Sequence, residues 1–298
     1  MRIFRVLKQG VLSTYQDLGR FGYEDRGITN GGASDEISYR LVNRLLNNLK
    51  NSTAIEIVLG NFSLEVLESC RVAIGGAEMR AKVNGEHKRN WSAFPLNKGD
   101  ILEFGYAAKG QIAYLGIEGG FNAKKILNSS SICIKDGIGQ ALKEGDTIEA
   151  KSSTNTLKSS LSPSIIPSIG EKSLSLRLTC SYQHKWFDKE KFFNSTFRVS
   201  NRYDKMGYQL EGEEIKPRYD TLISEAIAFG AVQVTSAGHP IVLLKERQTI
   251  GGYPKIGTVL PIDCFKLSQT GANTKIIFKE ITLDEAREEC LKARIQLQ

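Results

Sequence analysis

The segment Thr14–Asp35, TYQDLGRFGYEDRGITNGGASD, brings an amide, a carboxylate and a guanidinium close together at Gln16, Asp17 and Arg20. Gly19, Gly22, Gly27, Gly31 and Gly32 permit tight turns or close ligand approach and leave backbone amides accessible. That combination suits a loop that binds an anionic or amide-bearing ligand, with Arg20 as a bidentate clamp and Asp17 orienting it. It equally suits an Asp17 to Arg20 pair that ties a long loop beneath the helix that follows. Composition leaves both readings open.

A second string, KERQTIGGYPKIGTV at Lys245–Val259, follows the apolar run PIVLL. Charges and an amide at the exit of a buried strand, then Gly251, Gly252, Tyr253 and Pro254, read as a sharply turning pocket wall. Arg247 is suited to stabilise negative charge on a phosphoryl or carbonyl oxygen, Gln248 presents an amide, and Tyr253 can close over a small ligand. A solvent-exposed hairpin with charges at its mouth is the competing reading. In the third string, NRYDKMGYQLEG at 201–212, Asp204 and Lys205 form a rim while Met206 and Tyr208 fill an apolar bed. A structural or partner-facing role fits Asp204, Lys205 and Tyr208 better than a catalytic one.

Other chemistries lack their residues. The five cysteines are scattered without a CxxC, and His87, His184 and His239 are isolated, which disfavours a disulfide framework or a metal centre. There is no GxxxxGK[ST], HExxH or GxSxG. The string GIGQALKEG at 137–145 lacks the third glycine of a dinucleotide fingerprint and reads as a turn.

The elements that must carry these strings are mostly strands. With 298 residues, 41% hydrophobic and 24% charged, the chain has the composition of a soluble globular protein of one large or two modest domains. The net charge of +7 comes from 40 basic and 33 acidic residues, largely interleaved, a mild bias toward anionic ligands without a nucleic-acid patch. No run approaches the roughly 18 apolar residues of a membrane helix, and the opening MRIFRVLKQG carries charge where a signal peptide would be apolar. A cytoplasmic location without membrane contact is expected. Seven serines, two threonines and two prolines in Ser152–Ser168 leave no continuous packing face. The expectation is a β-rich lobe over 1–150, a linker or long loop over 151–170, and a β-rich lobe with a terminal helix over 171–298.

Short apolar runs separated by glycine, such as GDILEFG and QIAYLGIEGG, predict a mainly β fold with a few helices. Asp35–Leu46 is expected to be a helix capped by Ser34, with Ile37, Leu41 and Leu45 on its buried face. Thr282 and Glu285 form a capping box for a last helix, along which Leu283, Ala286, Cys290 and Leu297 recur.

Taken in order, the strings resemble the carboxyltransferase-related family of allophanate hydrolase subunit 2-like proteins. Thr14, Gln16, Asp17, Gly19, Arg20 and Gly22 match its opening pattern, then Gly32, Ala33 and Asp35; Asn43 and Glu56 match the next positions. Arg247, Gln248, Thr249, Gly251, Gly252, Tyr253 and Pro254 match a later one, continued by Asp263 and Gln269. The chain departs from the pattern at Lys205 and Gln209, where the family has arginines, and at NSSSI, 128–132, where it has an arginine and a preceding glycine. The resemblance implies a cyclophilin-like β-barrel architecture in two facing lobes. It implies a component of an ATP-dependent 5-oxoprolinase complex that opens 5-oxo-L-proline to L-glutamate, working with B-like and A-like subunits, ATP being consumed by the complex with no cofactor assigned to this chain. Under it Asp17, Arg20, Arg247 and Asp263 are the catalytic candidates, and Gln16, Asp35, Gln248, Thr249, Gly251, Gly252 and Tyr253 bind substrate. A non-catalytic regulator, like the sporulation-kinase-inhibitor antagonist of the same family, is one alternative. Biotin-dependent carboxyl transfer, with biotin on a separate protein, is another.

Overall fold

The computed structural model describes residues 1–219 and 221–296; Leu297, the last position of the expected helical spacing, lies outside the described residues. The chain divides into two compact units, one of Met1–Arg20 with Gly31–Gly170, the other of Phe21–Asn30 with Glu171–Gln298. The fold is mixed α/β with strands predominating. No helix among the described residues is long and apolar enough to cross a membrane.

In the first unit, alternation sets the faces. Along Gly60–Val66 the side chains of Phe62, Leu64 and Val66 are buried while those between are only partly so, the period-2 pattern of a strand with one face on a core. That strand lies in a six-stranded sheet ordered Thr147–Glu149, Arg2–Gln9, Gly60–Val66, Ile101–Tyr106, Lys82–Val83, Glu86–His87. A second six-stranded sheet is ordered Ser159–Ser160, Ser92–Leu96, Cys70–Glu78, Lys109–Ile117, Ala54–Val58, Leu12–Gln16. Phe4, Phe62, Leu64 and Leu102 from one sheet share a core with Ile55, Ile57, Val72 and Leu115 from the other. Turns at Lys98–Asp100 (KGD) and Glu144–Asp146 (EGD) lie just before the strands that begin at Ile101 and Thr147.

Helix α1, Glu36–Leu45, packs on the second sheet. Its buried residues are Ser38, Tyr39, Leu41, Val42, Asn43 and Leu45, so the inward face is turned toward Val42 and Ile37 is only partly buried. The reason is close approach. A Cβ at Gly75 would stand 2.8 Å from both Val42 Cγ2 and the Trp91 ring, and the missing side chain lets helix and sheet touch there.

The serine-rich stretch groups with the first unit. Ser159–Ser160 pairs with Ser92–Leu96, Arg71 Nε donates to the Leu157 carbonyl at 2.8 Å, and Asn155 Nδ2 donates to Glu118 Oε1 at 2.7 Å. Polar bonds hold a segment that has no apolar face to bury.

The second unit is a closed seven-stranded barrel, ordered Ser173–Cys180, Lys255–Val259, Ala231–Val234, Pro240–Leu243, Gly207–Glu211, Phe197–Tyr203, Lys275–Glu280. Lys275–Glu280 closes it by pairing parallel to Ser173–Cys180, and the other neighbours pair antiparallel. Leu176, Leu178, Phe197, Val232, Val242 and Phe278 fill the interior. Among the described residues this unit also carries the α-helices α2, Lys189–Asn194; α3, Pro261–Leu267; and α4, Leu283–Gln296. The capping box of α4 forms: Thr282 Oγ1 accepts from Glu285 N at 3.2 Å and Thr282 N donates to Glu285 Oε2 at 2.8 Å.

The close contact of α1 with its sheet gives a stability prediction. Gly75→Ala should destabilise the chain by about 1–3 kcal/mol through overpacking against Val42 and Trp91. In urea denaturation the midpoint should fall while the slope stays unchanged.

Candidate functional site

The strand Leu12–Gln16 delivers Asp17 to a buried position, where its carboxylate is surrounded by a loop from far along the chain. Oδ1 accepts from Ser129 Oγ at 2.6 Å, Ser131 Oγ at 2.7 Å and Gly19 N at 2.8 Å. Oδ2 accepts from Ser130 N at 2.8 Å and Ser130 Oγ at 3.1 Å. Burial pushes the Asp17 pKa up, but the donors from Ser129, Ser130, Ser131 and Gly19 together outweigh it and hold the carboxyl below its ordinary range. The same loop is fastened to the strand by Gln16 Nε2, which donates to the Ile132 carbonyl at 3.0 Å, and by Ile132 N, which donates to the Tyr15 carbonyl at 3.0 Å. Arg20 is 2% exposed, and its Nη2 donates to the Ser131 carbonyl. A side chain at Gly31 would meet Arg20 Nη1 at 3.0 Å, and φ there is +61°, so glycine suits the position twice over. A carboxylate with both oxygens saturated by fixed donors is an anchor for the 129–131 loop; it has little capacity left to take a proton from substrate.

A second buried carboxylate organises the start of α1. Glu56 accepts from Ser34 N at 2.7 Å, Ser34 Oγ at 3.1 Å and Tyr114 OH at 2.6 Å. Burial first, then the Glu56 charge, push the Tyr114 pKa far up, so it remains a donor. Ser34 is thereby occupied, and the helix cap is Asp35: its Oδ1 accepts from Ser38 N at 3.1 Å and its Oδ2 from Ser38 Oγ at 2.5 Å. This corrects the expected Ser34 cap. It also places Asp35, expected to touch substrate, at 3% exposure with its carboxylate turned to its own helix.

In the second unit the chain leaves the strand Pro240–Leu243 and buries Arg247. Arg247 Nε donates to the Ile227 carbonyl at 2.9 Å, Nη1 to the Leu244 carbonyl at 3.3 Å, and Nη2 to Asn30 Oδ1 at 2.8 Å. Asn30 Nδ2 in turn donates to Glu24 Oε1, and Glu24 Oε2 accepts from Gly22 N and Tyr23 N at 2.9 Å each. Burial lowers the Arg247 pKa, and the Glu24 charge partly restores it. These three contacts of a largely desolvated cation are all to neutral oxygens, an arrangement that favours an added anion.

The neighbouring candidates lie along the same turn. Gln248 Nε2 donates to Gln233 Oε1 at 3.3 Å, and Gln233 Nε2 donates to the Tyr253 carbonyl at 3.2 Å. A Cβ at Gly251 would meet Gln233 Nε2 at 2.7 Å, so glycine there makes room for this amide chain. The Thr249 carbonyl accepts from Ile227 N at 3.0 Å. Gly252 and Tyr253 are exposed.

Other candidates have internal duties. Asp263 is held by Arg177, with Nε to Oδ2 and Nη2 to Oδ1 both at 2.8 Å, and Arg177 Nη1 reaches Glu289 on α4 at 2.7 Å. Asp263 thus joins α3 to a barrel strand. Asp204 Oδ1 accepts from Met206 N at 2.7 Å in a turn, and Lys205 Nζ lies 3.7 Å from Glu246 Oε1. Tyr208 lies in the expected apolar bed, 4% exposed with its ring packed inward and its OH near the Ser268 and Thr270 carbonyls, so the partner-facing role expected for it is corrected. The inward face follows from its strand, where Tyr208 and Leu210 alternate with less buried positions.

Ser129, Ser130, Ser131, Asn30, Glu24, Tyr114 and Arg177 were not singled out by the sequence strings. A run of three serines beside a departure from a family pattern is the available signal for the first three.

Asp17→Asn should lower stability by about 2–4 kcal/mol, because an amide NH2 would face donors where the carboxylate accepted. Its depressed folded pKa means the Asp17 contribution is fully present above the unfolded value of about 4 and lost as pH falls through the folded value. Urea midpoints measured from pH 7 down to acid should therefore fall less steeply below about pH 4 in Asp17→Asn than in the parent.

Residues 26–280 match the family described as carboxyltransferase domain, subdomain A and B. The chain is 31% identical over 282 residues to the C subunit of 5-oxoprolinase from Haemophilus influenzae, covering 92% of this chain and 90% of that protein. It is 30% identical over 305 residues to the corresponding 5-oxoprolinase C subunit of Escherichia coli, covering 98% and 94%. Urea amidolyase of Saccharomyces cerevisiae is 26% identical over 306 residues, 93% of this chain and 16% of that protein. Among solved structures, TTHA0988 superposes with a TM-score of 0.85 at 28% identity, over 94% of this chain and 56% of that one. The Kluyveromyces lactis urea amidolyase shares the fold, with a TM-score of 0.91 over 100% of this chain and 20% of that chain, at 24% identity. Matched by the family pattern over most of its length, and aligned nearly end to end with two homologous 5-oxoprolinase C subunits, the chain belongs to the carboxyltransferase-domain family.

Proposed function

We propose that this chain is the C-type component of an ATP-dependent 5-oxoprolinase, acting with A-like and B-like partner subunits to open 5-oxo-L-proline to L-glutamate. The observation that carries the reading is the buried Arg247 guanidinium, whose contacts to the Ile227 and Leu244 carbonyls and Asn30 are all to neutral oxygens. Such a group receives a carboxylate, or the negative oxygen that forms as an amide carbonyl is attacked. Coextension with the C subunits of two 5-oxoprolinases supports this choice over urea amidolyase, of which the chain matches a small part.

A lactam is a poor electrophile, so the ATP consumed by the complex is used to phosphorylate the ring carbonyl oxygen. Water then adds to that carbon, the ring C–N bond breaks as the nitrogen takes a proton, and a second water hydrolyses the resulting acyl phosphate to the carboxylate and free phosphate. Arg247 neutralises the developing charge, Gln248 and Tyr253 line the approach, and Asp17 and Arg20 keep the 129–131 loop in place. A cyclophilin-like form for the lobes, implied by the resemblance, is supported by the closed barrel of the second unit.

A regulatory, non-catalytic role is the second reading. It is favoured by the occupation of both candidate catalytic carboxylates, Asp17 by serines and Asp263 by Arg177.

The deciding assay is 5-oxo-L-proline-dependent phosphate release by cognate A and B subunits with and without this chain. Release should require it, and an unchanged rate on omission removes the assignment. In the assembled complex Arg247→Lys keeps the charge but loses the planar fork, and activity should fall roughly tenfold to hundredfold with folding intact, the scale of one charged hydrogen bond.

A further inference from the structure

Asn30 stands between a buried cation and a carboxylate, and its two amide ends are not interchangeable. Its Oδ1 accepts from Arg247 Nη2 at 2.8 Å, and its Nδ2 donates to Glu24 Oε1. Turning the amide over would set an NH2 against a guanidinium and a carbonyl oxygen against a carboxylate, two repulsive contacts in place of two hydrogen bonds. The orientation is therefore fixed by the charges on either side. Glu24 is itself fixed, because its other oxygen accepts from the backbone of Gly22 and Tyr23.

This relay performs two tasks that a direct ion pair could not perform together. It holds the guanidinium plane in one orientation, as a carboxylate at position 30 would. Yet it keeps the negative charge one side chain away, so the cation is oriented without being neutralised in contact. Coulomb attraction weakens with distance, and a carboxylate at hydrogen-bond range competes with an incoming anion far more strongly than one beyond an intervening amide.

The geometry points to Asn30 as a positioning residue that keeps Arg247 receptive to an anionic ligand, with Glu24 as the group that orients the amide. The ligand class is a small carboxylate or a phosphorylated acid, and the inference rests on the reading of Arg247 as an anion-binding group. Asn30 touches no reacting atom. Its effect on the ligand is read through the guanidinium.

The test is an exchange that conserves charge and hydrogen bonds. In the double variant Glu24→Gln with Asn30→Asp, the new amide at 24 can accept from Gly22 and Tyr23 and donate to position 30, while the new carboxylate at 30 accepts from Arg247. Net charge is unchanged; only the distance of the negative charge from Arg247 is altered. The full chain is titrated calorimetrically with 5-oxo-L-proline, alone and with its A and B subunits, and KM for 5-oxo-L-proline and kcat are measured in the assembled complex.

The exchanged variant should melt within a few degrees of the parent, yet bind 5-oxo-L-proline at least about tenfold more weakly, with KM raised by a similar factor, as expected for a competing charge in direct contact. Because the relay's hydrogen bonds are conserved, a purely structural role predicts no such change. Parent-like affinity in the folded double variant overturns the inference while leaving Arg247 as a ligand group. Asn30→Asp alone sets two carboxylates against each other, and weak binding in that variant with parent-like binding in the double one also overturns it. Arg247→Ala separates the two levels: if it binds 5-oxo-L-proline like the parent, or if the parent does not bind at all, the reading of Arg247 fails and the inference with it.

Discussion

A carboxylate sealed from water keeps its charge only where fixed donors replace its hydration, and the first unit is arranged around one such group. Apart from Gly19 N, the donors that hold Asp17 lie more than a hundred positions away in sequence, at Ser129, Ser130 and Ser131. Ser130 is braced in turn by Thr53, whose hydroxyl lies 2.7 Å from its own. Arg20 adds a bond to the loop's backbone. The strand Leu12–Gln16 is the last of its sheet, and the bonds from Ile132 N to Tyr15 and from Leu142 N to Ser13 cover an edge that would otherwise offer unpaired backbone groups. One buried charge thus fixes a loop, and the loop finishes a sheet.

The second unit solves the opposite problem differently. Arg247 is buried like Asp17, but carbonyls and an amide surround it rather than groups of opposite charge. Both oxygens of Asp17 are met by hydrogen-bond donors, while the three side-chain contacts of Arg247 are all to neutral oxygens. Arg177 marks the contrast within the same unit: its bidentate bond to Asp263 pushes its pKa up, and the pair serves to join α3, α4 and the barrel.

Much of the fold is legible in the sequence because strands announce themselves locally. Glycine-bounded apolar runs mark the strands, and Thr282 with Glu285 marks the start of α4, because each signal is carried by residues a few positions apart. The start of α1 is displaced by one residue because Glu56, 22 positions from Ser34, claims the serine that would have capped it. The role of the serine loop cannot be read locally either. Three serines offer only hydroxyls until Asp17 arrives, and beside a family pattern they look like the loss of an arginine. The inward place of Tyr208 is legible in the sequence, since alternation with Leu210 carries it into the apolar bed. Asn30 lies inside the glycine-rich string, where an asparagine next to Gly31 reads as a turn residue; its importance depends on a guanidinium 217 positions later.

That separation also governs the order in which the molecule can be completed. Residues Phe21–Asn30 group with the second unit although the chain on either side belongs to the first. They leave the ribosome early, and the barrel strands and Arg247 that they join are made late. At ordinary translation rates of about 5–20 residues per second, this segment waits roughly 10–40 s for its guanidinium to be synthesised. During that interval Glu24 and Asn30 have a nascent chain but no Arg247 to orient. Cutting the chain after Gly170 would make the wait permanent, because the severed barrel half would lack the ten residues that supply the amide and carboxylate of the relay.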